Sequence, residues 1–321
     1  MKLITFCVPM YNESENLKEL YRHLDDLTKQ YIDKYKFEFL FINDGSIDDS
    51  LDIIKELAIK DRRISYVDLS RNFGKEVAML AGFDYCKGDA TIIMDADLQH
   101  PPSTVPSMIT EWENGYQDVY GKRVKRGGEN FLKKATSKLY YKILGHFSQI
   151  PVLPAVGDFR LLDRKCIDSM VKIRESQRYT KSMYMWIGFK KKEVEFESSE
   201  RFAGQTKWKL KNLIQLAIDG IVSDSKVVLR LSFYSGIIIS LMSFVYMLYV
   251  LIKTLTVGST TPGFPTLTIL ILFLSGSQLI FQGVMGEYIG KIYTEVKNRP
   301  PYLIQEYYSD IENEMRSSNT D

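Results

Sequence analysis

Two uncharged runs near the carboxyl end limit what this chain can fold into more than any other feature. Leu231 to Ile252 holds 17 apolar residues in 22, the others being Ser or Gly, and Thr254 to Gly286 carries no charged side chain. A helix of 22 residues is about 33 Å long, enough to cross the hydrocarbon core of a bilayer. Each run therefore predicts a transmembrane helix, the second from about Phe264 to Gly286, after a loop containing Pro262, Gly263 and Pro265. Lys226 and Arg230 precede the first, Lys291, Lys297 and Arg299 follow the second, and the connecting loop has no Lys or Arg after Lys253. The distribution places both termini in the cytoplasm and the short loop outside. A long helical hairpin buried in a protein core is the alternative.

The rest of the chain has a different character, which is why the mean hydropathy of -0.16 looks soluble. Among 321 residues, 42 Lys+Arg balance 40 Asp+Glu to a net charge of +2, which argues against a nucleic-acid partner held by bulk positive charge. With 45% hydrophobic residues, 20 Gly and 10 Pro, the chain can bury a large core. Cys7, Cys86 and Cys166 are odd in number and lack CxxC spacing, so reduced thiols in a core are expected. His23, His100 and His146 show no metal-ligand spacing. The apolar run Leu3 to Met10 is too short for a signal peptide.

Over the first half, short β-rich runs alternate with amphipathic helical patterns, the signature of an α/β domain with a mostly parallel central sheet. Strands are predicted at Leu3–Met10, Phe37–Asn43, Ile64–Leu69, Ala90–Asp95 and Val119–Gly121. Helices are predicted near Ser14–Gln30, Asp48–Ala58, Lys75–Cys86 and Ser103–Glu113, the first capped by Asn12 with Glu15 three residues on. Basic stretches follow at Lys122–Arg126, at Lys133, Lys134 and Lys138, and at Arg201–Lys211, before a semi-apolar helix pattern at Leu213–Val222. Such segments suit a membrane interface, or a solvated helix face. The polar tail from Glu306 onward reads as frayed.

Chemistry concentrates where the predicted strands end. Asp95-Ala96-Asp97 closes an apolar strand and continues into Leu98-Gln99-His100-Pro101-Pro102. Two carboxylates one residue apart can hold a divalent cation that also takes oxygens from a diphosphate. Taken alone the pattern equally describes loop solvation or a helix cap. Val8-Pro9-Met10-Tyr11-Asn12-Glu13, Asn43-Asp44-Gly45-Ser46-Ile47-Asp48-Asp49-Ser50 and Arg71-Asn72-Phe73-Gly74-Lys75 end the other strands, each also plausible as a turn. Loops after successive parallel strands converge on one edge of a sheet, the expected place for a nucleotide pocket.

From Leu3 to Leu162 this arrangement resembles the family 2 glycosyltransferases and their GT-A nucleotide-sugar-binding fold. With Gly157-Asp158-Phe159-Arg160, the Arg201-Phe202-Ala203-Gly204-Gln205-Thr206-Lys207 segment and two spans, it looks more narrowly like bacterial polyprenyl-phosphate glycosyltransferases, relatives of dolichyl-phosphate mannose synthase. The resemblance implies four regions: a GT-A catalytic domain over 1–165, acceptor-side and juxtamembrane interfacial helices over 166–230, a two-helix transmembrane hairpin over 231–286 and a cytoplasmic tail over 287–321. It implies that Pro9, Tyr11, Glu13 and Asp44 hold base and ribose, that Lys75 and Asp95 contact the nucleotide sugar, and that Asp95, Asp97 and Gln99 surround Mg²⁺ or Mn²⁺. Asp158 matches the family's proposed catalytic base, although positioning or charge balance would also explain a carboxylate there.

On the acceptor side, Arg123, Lys133, Ser137, Arg201 and Lys207 are the groups expected to grip a lipid phosphate. A solvated basic surface is the competing explanation. Such a phosphate is already anionic near neutral pH, so positioning matters more than deprotonation. The implied reaction is inverting transfer of one sugar, from UDP-glucose or UDP-N-acetylglucosamine, to undecaprenyl phosphate at the cytoplasmic face of the cell membrane. GDP-mannose is the alternative donor. A processive polysaccharide synthase fits less well, because Gln177-Arg178-Tyr179-Thr180-Lys181 fails the QxxRW pattern. Relatives imply a homo-oligomer, with a tetramer among the options.

Overall fold

Strands β1 (Lys2–Met10) and β2 (Tyr35–Asn43) are almost unbroken apolar runs because both faces of their sheet are covered. Ile4, Phe6 and Val8 of β1 and Phe39 and Phe41 of β2 pack with Leu17, Leu20 and Leu24 of helix α1 (Ser14–Lys29) and with Ile54 of α2 (Ser50–Lys60). The alternate residues Cys7, Leu40 and Ile42 pack on the opposite face, against Ala78, Met79 and Phe83 of α3 (Lys75–Tyr85). Gly82 of α3 makes this close approach possible: a Cβ there would lie 2.2 Å from Cys7 Sγ. All three cysteines are free and buried, as expected for core thiols.

The computed structural model describes residues 1–124, 156–176, 178–197 and 263–311, with isolated helical positions between 234 and 256. The remaining strands are β3 (Ile64–Leu69), β4 (Ala90–Ile93), β5 (Asp118–Arg123), β6 (Val156–Asp163), β7 (Lys191–Phe196) and β8 (Ile304–Tyr308). Helices α4 (Val105–Glu113), α5 (Arg164–Lys172), α6 (Thr180–Trp186) and α7 (Phe264–Val296) complete the set named here. The sheet order is β7-β5-β6-β4-β1-β2-β3-β8. Its centre is parallel, β1 pairing with β2 and β4 and β2 with β3. This confirms an α/β fold in which the loops after β1, β2, β3 and β4 leave one edge of the sheet.

The mostly parallel sheet is as expected, with two antiparallel strands added to it: β6 between β4 and β5, and β8 beside β3. Several expectations require correction. The tail beyond Glu306 is not frayed through its described part, since Ile304–Tyr308 covers the β3 edge. Glu306 accepts hydrogen bonds from Lys55 (2.5 Å) and Tyr66 (2.6 Å), and the hydroxyls of Ser65 and Ser309 meet at 2.9 Å. Asn12 does not cap α1: its φ is +54° and its side-chain oxygen accepts the Ile47 N–H at 2.9 Å instead. Helix α2 begins at Ser50, two residues after the expected Asp48, because the Asp48 carboxylate accepts the N–H groups of Ser50 and Ser14.

The chain divides into two compact units, one formed by Met1–Gly145, Ile150–Lys209 and Pro300–Asp321, the other by His146–Gln149 and Leu210–Arg299. Within the second unit, α7 has 33 residues and meets its first charge at Glu287. Leu267, Ile271, Phe273 and Leu279 on α7 are exposed, as are Ile238, Leu241, Met242 and Val245 at helical positions of the first apolar run. Among the described residues, no helix is long and apolar enough to cross a membrane.

Candidate active site

The strand-end motifs form one hydrogen-bonded assembly. Asp44 N–H donates to the Met10 carbonyl at 2.9 Å, Asn12 N–H to Ser46 Oγ at 3.0 Å and Glu13 N–H to Ser50 Oγ at 2.9 Å, tying the loop after β1 to the loop after β2. The Asp44 carboxylate then accepts the N–H groups of Phe73 (2.7 Å) and Gly74 (2.9 Å), fixing the loop after β3. Burial pushes its pKa above the usual carboxylate range despite these two donors. Gly45 sits where the loops cross, with φ +65°, and a Cβ on it would lie 2.4 Å from the Arg71 carbonyl carbon. Only glycine satisfies both the left-handed backbone and that approach.

Pro9 is buried at the end of β1, while Tyr11 is partly exposed just beyond it. The Glu13 carboxylate accepts from Asn16 Nδ2 at 2.6 Å. These positions are those from which base and ribose contacts were expected. The same assembly gives Asp44 structural work that the sequence did not distinguish from ligand binding.

Asp95 leaves the end of β4 facing Lys75 and Asp158. Lys75 Nζ is 2.6 Å from Asp95 Oδ1 and 3.1 Å from Asp158 Oδ2. The antiparallel register explains the meeting: β6 pairs Arg160 with Ile93, so Asp158, two positions earlier on β6, lies alongside Asp95, two positions beyond β4's last pair. Burial opposes the Asp95 charge, but the Lys75 ammonium overcomes it and holds the carboxyl below its ordinary value. The same balance, burial against two carboxylates, leaves the Lys75 pKa well above that of a free lysine.

The loop beyond Asp95 is tightly constrained. Asp97 Oδ1 accepts the Gln99 N–H at 3.1 Å, and Leu98 between them has φ +60°, a rare state for a leucine. His100 turns back so that Nδ1 accepts the Asp95 N–H at 3.1 Å. Its ring stacks on Phe159 at 4.8 Å and 6°, and meets Phe196 edge-on. Burial lowers the His100 pKa, which favours the neutral ring needed to accept that bond. In the sequence His100 is notable only for lacking metal-ligand spacing, and this supporting role appears only in the fold. Its position three residues after Asp97 was the available signal.

Beneath Asp158, β6 is anchored by a buried charge cluster. Arg160 Nη1 is 3.0 Å from both oxygens of Asp118, Lys191 Nζ is 2.9 Å from Asp118 Oδ2, and the guanidinium lies 3.6 Å from the centre of the Tyr184 ring. Glu76, directly after Lys75, accepts from the backbone and hydroxyl of Thr180, docking the start of α6 on the start of α3.

The donor chemistry fits a hard divalent cation, because Asp95, Asp97 and Asp158 present carboxylate oxygens at one sheet edge and Asp158 Oδ1 is buried with no hydrogen-bond partner. Among the described residues, no three His, Cys, Asp or Glu side chains are grouped closely enough to hold an ion by themselves. A cation here would need oxygens from a diphosphate or water, which is how Mg²⁺ is usually held. Arg123 is exposed at the last position of β5, two residues beyond Gly121, whose Cα faces Phe159 and Phe196. Lys133, Ser137, Arg201 and Lys207 lie outside the described residues.

Comparison with known proteins identifies this arrangement. Residues 5–170 match the family described as Glycosyl transferase family 2. The chain belongs to glycosyl transferase family 2. Within that family it is 43% identical over 306 residues to an uncharacterized glycosyltransferase, YkcC, of Bacillus subtilis (strain 168), covering 95% of this chain and 94% of the relative. It is 40% identical over 305 residues to the SfII prophage-derived bactoprenol glucosyl transferase of Shigella flexneri, covering 94% of this chain and 97% of that one. Among solved structures, mannosyl-3-phosphoglycerate synthase from Rubrobacter xylanophilus aligns with a TM-score of 0.46 at 15% identity, covering 73% of this chain and 75% of that one.

Proposed function

We infer that this family 2 glycosyltransferase moves one sugar from a nucleotide sugar to a polyprenyl phosphate, undecaprenyl phosphate in a bacterial cell, at the cytoplasmic face of the membrane. The observation that carries this reading is the 40% identity to a bactoprenol glucosyl transferase over 94% of the chain. The word glucosyl in that name favours UDP-glucose over UDP-N-acetylglucosamine as donor, with GDP-mannose the remaining alternative.

Chemically, a phosphate oxygen of the acceptor forms a bond to the anomeric carbon while the bond from that carbon to the donor's β-phosphate oxygen breaks. The electron pair leaves with the nucleoside diphosphate, and a single in-line displacement inverts the sugar's configuration. Asp44 and the loops it joins shape the base and ribose pocket, and Lys75 offers an ammonium to the diphosphate. Asp95, Asp97 and Gln99 would hold Mg²⁺ or Mn²⁺, which when bound offsets charge on the leaving diphosphate. Because the acceptor phosphate is already anionic, Asp158 acts mainly by charge and position. Arg123, Lys133, Ser137, Arg201 and Lys207 are proposed to hold the lipid phosphate against repulsion from the donor.

A membrane location follows from the acceptor, whose polyprenyl tail cannot leave lipid. The exposed apolar side chains of α7 and of the positions between 234 and 256 support assigning both uncharged runs to the bilayer, and the flanking Lys and Arg residues favour both termini on the cytoplasmic side. The test is incubation of the full chain in detergent with undecaprenyl phosphate, Mg²⁺ and a panel of nucleotide sugars, followed by mass spectrometry of extracted lipid. One added hexose or N-acetylhexosamine identifies both reaction and donor. No lipid product from a preparation that binds nucleotide would overturn the reading.

A further inference from the structure

The site carries a cation of its own. Lys75 stands at the start of α3, held by Asp95 Oδ1 at 2.6 Å and Asp158 Oδ2 at 3.1 Å. Both are short charge-assisted contacts between elements that otherwise bring two carboxylates face to face. The second oxygen of Asp158 is buried and has no hydrogen-bond partner. Two carboxylates converging on one point, one of them with an unused oxygen, are what a divalent cation seeks, and an ammonium sits between them. An arriving metal would meet like charge at that point and would have to compete for the same oxygens.

We propose that Lys75 keeps the cation's place in the donor-free protein, so that the metal enters with the nucleotide rather than before it. The proposal rests on the reading of the protein as a nucleotide-sugar transferase. A diphosphate changes the balance because its oxygens give the ammonium new partners. Lys75 then moves from the two aspartates to the phosphates, and the released carboxylate oxygens become available as the diphosphate supplies further ligands. Metal and nucleotide thus bind with positive coupling, and the coupling is reciprocal.

The test follows Mn²⁺ binding to the full chain in detergent by electron paramagnetic resonance, with and without UDP, and requires no turnover. In the wild type, UDP should tighten Mn²⁺ binding by about 10- to 100-fold, the upper range of ordinary coupling between sites. Lys75→Met should bind Mn²⁺ without UDP about tenfold more tightly than the wild type, on the scale expected when a like charge is removed from a low-dielectric site, and most of the coupling should vanish. Lys75→Arg, which keeps the charge, should behave as the wild type. Adding Asp97→Asn to Lys75→Met should abolish the gained affinity, tying it to this site. Lys75→Gln serves as a second neutral variant, and thermal melts report whether each protein is folded.

The proposal is overturned if folded Lys75→Met or Lys75→Gln binds Mn²⁺ no more tightly than the wild type without UDP. If the wild type takes up Mn²⁺ with UDP in that experiment, the metal-dependent transferase reading survives and only the placeholder role of Lys75 is lost. If no variant binds Mn²⁺ even with UDP, the metal reading of the site fails as well.

Discussion

Asp95 and Asp158 share one ammonium, with Lys75 Nζ at 2.6 Å from the first and 3.1 Å from the second. They stand on neighbouring antiparallel elements, so their meeting depends on the register of β6 against β4. That shared contact joins the acidic loop after β4 to the GDF segment, and it makes the charges of the site interdependent.

Asp97→Asn should reduce lipid product by about 100-fold or more, the scale of losing a group that helps offset charge developing on a leaving diphosphate. Binding of UDP without metal should change little. Mass spectrometry of extracted lipid, beside a nucleotide titration, separates the two effects. Unchanged turnover would remove Asp97 from the reaction.

His100→Phe should leave the Asp95 N–H without its acceptor, at a cost of about 1–3 kcal/mol. A drop of about 10- to 100-fold in kcat with a smaller change in KM is expected if that energy is lost in the transition state. His100→Asn can still place an oxygen near the N–H and should recover part of the loss. Equal damage from both variants would indicate that ring stacking on Phe159, rather than the hydrogen bond, is what matters.

Gly45→Ala should destabilise the catalytic unit by about 2–4 kcal/mol, through left-handed backbone strain together with a clash against the Arg71 backbone. Nucleotide affinity should fall in parallel, because the same loop aligns Asp44. A thermal melt unchanged from wild type would contradict the packing at this crossing.

The pH dependence of stability should carry the mark of Glu38. It is fully buried on β2 and accepts from the Thr5 hydroxyl at 2.5 Å, Ser65 Oγ at 3.2 Å and Lys87 N–H at 3.2 Å. Burial nevertheless raises its folded pKa above the ordinary 4.5. Between the unfolded and folded values the native state binds more protons, so Glu38 makes stability fall as pH rises through that window. Glu38→Gln should flatten that fall and raise the melting temperature near neutral pH relative to the wild type. Melting curves at several pH values above 4.5 decide the matter, and an identical slope in the variant would refute it.

Ending the chain after Arg299 should expose the β3 edge and remove the bonds of Glu306 to Lys55 and Tyr66, of Tyr302 to Asp84 and of Ser309 to Ser65. Loss of several such contacts, about 1 kcal/mol each, should lower the melting temperature and promote aggregation through the bare edge. Tyr302→Phe, a milder change, should cost about 1 kcal/mol. Light scattering of the shortened protein checks the edge, and a shortened protein as stable and monodisperse as the full chain would show that β8 is dispensable.

The parallel centre of the sheet was legible in the sequence, and so was the placement of the polar motifs at its strand ends. Strands β1 to β4 announce themselves because burial on both faces demands apolar runs, and Asp44, Lys75, Asp95 and Asp97 follow them in the chain, where loops must surface. The uncharged runs were equally legible, since lack of charge over such lengths is a property of composition. Tertiary structure alone decided what those residues touch. β7 alternates Lys and Glu with apolar residues at an edge and β8 lies in a polar tail, so neither carries the apolar signature of a central strand. Asp158 reaches Asp95 through antiparallel register, and His100 reaches the Asp95 N–H through a backbone reversal at Leu98. Local sequence records which faces must be buried, whereas register and loop reversal arise from the joint packing of segments far apart in the chain.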